Sequence, residues 1–283
     1  MNAAKRIPPH VAAFFDLDGT LLGPPSLERR FLRYLHWRGA LTAGSGARWF
    51  GRFLRQIWRR RSNPGAPAGS AWLAATAGNK AHLAGIRVAA VEDFSGVLSR
   101  RPLAFFPQAL ERLEWHAAQR HRIFWVTGTL APLAKAAVRQ LPFSAVLCAT
   151  QLEEIAGRWT GELAGEAVCG PVKARVLERL AAIYRLDLGS SYAYGDAWND
   201  RWMLESVGRP AAVNPSARLA RLARRRGWPV LAWREAGSPP RHTGTEIEGR
   251  RGENDRANSS AGLAATEVSA QGGEGNEAHG RSP

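Results

Sequence analysis

Six short apolar runs punctuate this sequence, with stretches of helical spacing between them. The runs are VAAFFD (11–16), RIFWVTG (122–128), SAVLCA (144–149), SYAYGD (191–196), PAAVNP (210–215) and PVLAW (229–233). The helical stretches include PQALERLEWHAAQR, APLAKAAVRQL, PVKARVLERLAAIYRL, WNDRWMLESV and SARLARLARRRG. Strands that alternate with helices specify an α/β fold, a parallel sheet sandwiched by helices. In such sheets ligands collect beyond the carboxyl ends of the strands. GRWTG (157–161) reads as a hairpin turn decorating this set.

Residues 24–104 break the alternation. They hold four helical patterns, SLERRFLRYLHWRG, ARWFGRFLRQIWRRR, AWLAATAGNKAHLAG and AAVEDFSGVLSRR, separated by Gly and Pro and without a convincing strand. An all-helical block is thus inserted just after the first strand. The expected organisation is a core of 1–23 and 105–235, a helical cap of 24–104 and a tail of 236–283. The tail contains no Trp, Tyr or Phe and is rich in Gly, Ser, Glu and Asn. Such a composition cannot bury enough apolar surface to offset ordering entropy, so the tail is expected to be disordered.

Charge narrows the partner. The formal net charge is +15; the tail holds five Arg against seven acids, which leaves +17 for residues 1–235. The insertion alone carries 14 Lys or Arg against three acids. This balance attracts anions of any kind, phosphorylated metabolites, nucleic acid and acidic lipid among them. Two cysteines, Cys148 and Cys169, stand too far apart and too few for a disulfide framework. The N-terminal MNAAKRIPPH has no apolar signal core, and no run approaches the roughly 18 apolar residues of a membrane span. A cytoplasmic setting is expected.

The chemistry lies at the ends of the runs. FFDLDGTLL places Asp16 and Asp18 where the first strand stops. RIFWV runs into Thr127-Gly128-Thr129, Lys173 opens a helix after CGPV, and SYAY runs into Gly195-Asp196-Ala197-Trp198-Asn199-Asp200. If these strands are neighbours, Asp16, Asp18, Asp196 and Asp200 share one crevice and need a counter-ion. Hard oxygen ligands without His or Cys select Mg²⁺. None of the seven His falls in a metal-ligand spacing, so no zinc site is expected. The Thr127 hydroxyl, the Gly128 backbone N–H and the Lys173 charge suit phosphate oxygens. A carboxylate at a strand terminus can attack phosphorus in line. A second one, two positions on and carried round the turn at Gly19, can protonate the leaving oxygen and later activate water.

These residues resemble the haloacid-dehalogenase-like (HAD) hydrolases, whose four motifs appear in order as DLDGT, a strand ending in TG, a Lys, and GDxxND. The early helical insertion and the run ATQLEEIAGRWTGEL followed by GEAVCGPVKARVLERL look like the phosphoserine-phosphatase-like branch, subfamily IB. The resemblance spans roughly residues 11–233 and implies a Rossmann-like core with a small helical cap domain. It implies that Asp16 is the nucleophile, Asp18 the acid/base and Lys173 the charge stabiliser. Thr127, Gly128 and Asn199 would bind phosphate. Asp16, Asp196 and the backbone carbonyl of Asp18 would hold Mg²⁺, and Asp200 would hold Lys173 or a metal-bound water.

Simpler readings exist for each piece alone: an Asx turn at Asp16-Leu17-Asp18-Gly19, and helix caps at Asp196 and Asn199. The segment 48–61, with Trp49, Phe50, Phe53, Leu54, Ile57 and Trp58 at helical spacing and Arg opposite, reads as a packed cap helix or as a basic helix on an anionic membrane. No recognised nucleic-acid motif accompanies the charge. The expected activity is a Mg²⁺-dependent phosphomonoesterase acting on a small phosphorylated metabolite. The alternatives are a lipid-phosphate phosphatase at a membrane surface and a non-catalytic module binding Mg²⁺ and anions.

Overall fold

A computed structural model of the chain describes residues 10–61 and 78–236, except for the side chains of residues 56, 57 and 59–61. The described strands are β1 Ala12–Phe15, β2 Arg122–Leu130, β3 Val146–Thr150, β4 Leu152–Ile155, β5 Arg158–Leu163, β6 Tyr192–Gly195, β7 Arg209–Val213 and β8 Val230–Leu231. Six of them form one sheet in the order β3-β2-β1-β6-β7-β8, every pairing parallel. All six expected strands are present. β2 runs on through Thr127-Gly128-Thr129 to Leu130, with irregular pairing between Thr127 and Leu130, and β8 shrinks to two residues.

The helices are α1 Leu27–Trp37, α2 Ala43–Arg61, α3 Ala90–Arg100, α4 Pro107–Ala118, α5 Ala131–Val138, α6 Pro171–Tyr184, α7 Arg201–Glu205 and α8 Ala217–Arg226. Several starts are written in the sequence. The Ser26 hydroxyl accepts from the Arg29 N–H to cap α1, and proline opens α4 and α6. Gly227, at φ 67°, takes the left-handed conformation that closes α8.

β1 shows why a parallel sheet forms here. All four of its residues are buried, and alternate side chains face opposite layers. Phe14 stacks on Phe124 at 5.2 Å in the layer beneath α6, α7 and α8, while Phe15 stacks on Tyr194 at 4.5 Å in the opposite layer. That second layer continues without a break into the insertion, through Leu27, Phe31, Leu83 and Phe94. The helical insertion is therefore seated on the sheet's own apolar face.

Three expectations change. The hairpin joining β4 to β5 turns at Ala156-Gly157, both at positive φ (48° and 73°), so GRWTG is mostly its second strand. The stretch AWLAATAGNKAHLAG is not helical from Gly78 onward, apart from one 3-10 turn at Ala81–Leu83; Gly78 and Asn79 are poor helix formers, and Asn79 bonds to the Trp49 carbonyl instead. Its first half lies outside the described residues. WNDRWMLESV splits into a 3-10 turn, Trp198–Asp200, and α7. The expected tail lies outside the described residues from 237 on, as do residues 1–9.

Candidate active site

β1 and β6 are central neighbours, and the strand order reverses between them, which opens a crevice at their carboxyl ends. Asp16 follows β1 directly and Asp196 follows β6 directly. Asp200 arrives from the 3-10 turn after β6. One carboxylate oxygen of each of Asp16, Asp196 and Asp200 lies within 4.8 Å of the others. Gly19 makes this approach feasible: at φ 90°, a Cβ there would lie 2.2 Å from Asp196 Oδ2. Gly195 does the same for Asp200, whose Cβ would meet one at 2.5 Å.

Lys173 enters from the first turn of α6 and is buried to 2% exposure. Its Nζ donates to Asp16 Oδ1 and to Asp200 Oδ1, both at 2.6 Å. Burial works against the ammonium, yet Asp16 and Asp200 together outweigh it and hold its pKa above the usual lysine value. The other oxygen of Asp200 accepts from the N–H groups of Asp196 and Ala197 at 3.2 and 2.9 Å, which fixes the turn bearing Asp196.

Three carboxylates against one ammonium leave a formal charge of −2 in a largely dry place. Burial, reinforced by Asp200, pushes Asp16 up to about 7 despite Lys173. Burial and the charges of Asp16 and Asp200 push Asp196 up to about 8. Oxygen-only donors with an unbalanced charge of −2 fit a hard divalent cation such as Mg²⁺.

Asp18 stands outside this trio. Its Oδ1 accepts the Leu27 N–H at 2.7 Å, at the start of α1, and its Oδ2 accepts the Thr129 hydroxyl at 2.6 Å. Burial raises its pKa above the ordinary carboxylate value, against the pull of these two bonds. A carboxyl group held toward its protonated form is suited to donating a proton.

The structure thus gathers Asp16, Asp196, Asp200 and Lys173, with Asp18 on the side of the insertion. Thr127 is buried, its hydroxyl donating to Thr129 Oγ1 at 3.2 Å, so the two threonines form a relay ending on Asp18. Gly128 follows in β2, where an added Cβ would meet the Val168 carbonyl only at an ordinary 3.6 Å. Asn199 is half-buried in the 3-10 turn. Reasoning from sequence missed Thr20, whose hydroxyl donates to Asp196 Oδ1 at 3.4 Å, and the Thr129 contact. Thr129 had a signal: in an extended strand, residues two apart share a face, so it accompanies Thr127. A cleft of about 860 Å³ opens at the other end of the sheet, by Tyr192 and Arg209, away from these groups.

Comparison with known proteins identifies the family and the fold. The sequence model of the haloacid dehalogenase-like hydrolases matches residues 13–205. Phosphoserine phosphatase SerB1 of Mycobacterium tuberculosis (strain ATCC 25618 / H37Rv) is 30% identical over 233 residues, 80% of this chain and 71% of that protein. A solved structure of a protein with unknown function from Bordetella pertussis Tohama I superposes with a TM-score of 0.58 at 29% identity, over 80% of this chain and 99% of that one. A phospho-aspartyl intermediate analogue of phosphoserine phosphatase shares the fold, with a TM-score of 0.54 at 16% identity over 81% of this chain and 95% of that one. The chain belongs to the haloacid dehalogenase-like hydrolase family.

Proposed function

We propose that this enzyme is a Mg²⁺-dependent phosphomonoester hydrolase that works through a phosphoaspartyl intermediate on Asp16. The observation that carries this reading is the cluster of Asp16, Asp196 and Asp200 carboxylates, in which one buried lysine bridges Asp16 and Asp200, with Asp18 held separately by Leu27 and Thr129. The relatives named as phosphoserine phosphatases support it.

In the proposed reaction, an Asp16 carboxylate oxygen attacks phosphorus in line and forms the O–P bond as the ester P–O bond breaks. Asp18 gives its proton to the departing alcohol oxygen. Water then attacks the phosphoaspartate, Asp18 takes the water's proton, and the Asp16 O–P bond breaks to release inorganic phosphate. Lys173 orients Asp16 and places positive charge at the reacting oxygens, while Thr127, Gly128 and Asn199 hold the phosphoryl group. Asp16, Asp196 and the backbone carbonyl of Asp18 would hold Mg²⁺, with Asp200 fixing Lys173. Bound there, the ion would supply the charge that neutralises the phosphate oxygens.

The domain boundaries belong to the same proposal: a core of 1–23 and 105–235, and a cap of 24–104 that covers the crevice. So does a cytoplasmic setting, which the two free, half-buried thiols of Cys148 and Cys169 support. The primary substrate is a small phosphorylated metabolite. One feature favours a second reading, a lipid phosphate at an anionic surface. Phe50, Leu54 and Trp58, spaced four apart on α2, are 54%, 49% and 71% exposed, on a helix with six arginines and no acid. Among the described residues no helix is long and apolar enough to cross a membrane.

The test is inorganic phosphate release across phosphoamino acids, sugar phosphates, nucleotides and lipid phosphates, with and without Mg²⁺. Asp16→Asn is the control, expected to fold and to lose several orders of magnitude of turnover. Substantial residual turnover in that variant rejects the nucleophile, and no turnover with any ester returns the chain to the non-catalytic reading. Liposome sedimentation with Arg52→Ser and Arg55→Ser separates the two substrate classes.

A further inference from the structure

Two donors grip the carboxylate of Asp18, and they come from different parts of the molecule. The Leu27 N–H, on the first residue of α1, reaches Oδ1 at 2.7 Å. The Thr129 hydroxyl reaches Oδ2 at 2.6 Å from β2. That length lies in the short range of a hydroxyl bonded to a charged carboxylate, a stronger bond than a neutral pair makes. Thr129 is 5% exposed, so water does not compete freely for it. β2 is the paired neighbour of β1, which Asp16 follows directly. The contact therefore ties the proposed acid to the sheet that carries the proposed nucleophile, independently of the insertion.

The strand is shaped to make this contact. Thr127 pairs with Ala149 and Leu130 with Thr150, so three steps along β2 answer one step along β3, and Gly128 and Thr129 are left outside the ladder. A bulge of this kind gives up pairing to re-aim a side chain, and bulges concentrate beside active sites. The Thr129 N–H donates to Thr127 Oγ1 at 3.2 Å, and the Thr127 hydroxyl donates in turn to Thr129 Oγ1 at 3.2 Å. With its oxygen accepting from Thr127, the Thr129 hydroxyl has one hydrogen of its own to give, and Asp18 receives it. Valine would fill the same volume and supply no such hydrogen.

A carboxylate held at one oxygen alone can turn about the bond that joins it to Cβ. Held at both, it has one orientation. General acid catalysis needs the proton within hydrogen-bond reach of the departing oxygen, and a misplacement of about 1 Å costs on the order of a hundredfold. Deepening the phosphatase reading and resting on it, we infer that Thr129 is the positioning residue for Asp18. It touches neither phosphorus nor the leaving group. It acts through Asp18, fixing the orientation from which that residue gives its proton to the ester oxygen as the P–O bond breaks and the Asp16 O–P bond forms. Thr127, two residues earlier, keeps the separate task of holding the phosphoryl group.

Phenyl phosphate and p-nitrophenyl phosphate test this, because the nitro group lets its phenolate depart without a proton, while the parent phenolate departs readily only when protonated. The quantity compared is kcat/KM with Mg²⁺ present, since it reports the steps up to phosphorylation of Asp16 and omits the later hydrolysis. Both esters sample the same folded enzyme, so any loss of folded protein cancels in their ratio. Thr129→Val is expected to lose at least about thirtyfold on phenyl phosphate and about threefold or less on p-nitrophenyl phosphate. Thr129→Ser keeps the hydroxyl and is expected to stay within about threefold of wild type on both. Asp18→Asn should show the same dependence on the ester by itself, and adding Thr129→Val to it should change the ratio less than about twofold, because groups that act as a unit are not additive. Equal losses on the two esters, a serine variant as impaired as the valine one, or an undiminished effect of Thr129→Val in the Asp18→Asn background overturns the inference. An Asp18→Asn protein that treats the two esters alike, or wild type that releases phosphate from neither, overturns the phosphatase reading instead.

Discussion

The Lys173 ammonium lies 2.6 Å from Asp16 Oδ1 and is held from behind by Asp200 at the same distance. Carboxylate and ammonium are thus fixed to each other by a residue 27 positions from the lysine and 184 from Asp16. Removing the lysine strands two buried carboxylates, and breaking a buried pair in this way costs about 3–5 kcal/mol. Lys173→Met is expected to melt well below the wild type and to lose at least about a thousandfold in phosphate release. Asp200→Asn keeps an acceptor for Lys173 and is expected to lose less of both. Melting curves and phosphate assays on the two variants check this ordering.

The crevice was legible because its polar groups sit at the ends of apolar runs, and a parallel sheet gathers those ends. Asp16, Asp18, Lys173 and Asp196 could all be picked out on that ground. The partner of Asp18 could not, since Thr129 reaches it only because β2 stays extended beyond its Thr-Gly step. Glu28 and Lys80 meet across 52 residues, part of which show no strand pattern to index the pairing. The hairpin turn was misplaced because Ala156, an ordinary helix former by composition, takes positive φ beside Gly157.

Mg²⁺ and protons should compete for the same carboxylates. Without the cation, burial holds Asp16 near 7 and Asp196 near 8, above the ordinary 3.8. A raised carboxylate pKa favours the folded state at low pH, and that contribution disappears as pH rises through the folded value. Chelated protein should therefore lose this stability between about pH 4 and 8. The rise in Tm on adding Mg²⁺ should be larger at pH 8 than at pH 5, and Asp196→Asn should abolish most of it. A Mg²⁺ effect of the same size at both pH values would count against these ligands.

Gly19→Ala tests the approach of β6 to the first motif. The added methyl would stand 2.2 Å from Asp196 Oδ2 on a backbone at φ 90°, so Asp196 must move. The core strands are untouched by that movement. The expected phenotype is a folded protein with weakened Mg²⁺ binding and at least about a hundredfold less phosphate release, partly recovered at high Mg²⁺. Circular dichroism with a Mg²⁺ titration of activity distinguishes this from simple unfolding.

His116 should make the fold sensitive to acid. It is fully buried on α4, its Nε2 3.0 Å from the Tyr194 hydroxyl and its Nδ1 2.8 Å from the His121 Nδ1. Burial, with His121 and Arg112 adding positive charge, pushes its pKa down to about 3 from the usual 6.5. His121 is itself pushed down, by burial and by Arg209, so it offers the ring no compensating negative charge. As pH falls below 6.5 the unfolded chain takes up a proton that the folded chain refuses. Stability from this residue is complete above that point and is lost progressively toward pH 3, by up to about 1.4 kcal/mol per pH unit for one proton. Raised carboxylates oppose this slope in cation-free protein, so the comparison is made with Mg²⁺ present. His116→Gln cannot titrate. It is expected to be less stable at pH 7.5, where it gives up the ring contacts with Phe15 and Tyr194, yet to show a flatter decline in urea midpoint between pH 6 and 4. Equal slopes for wild type and variant would assign the acid sensitivity to another group.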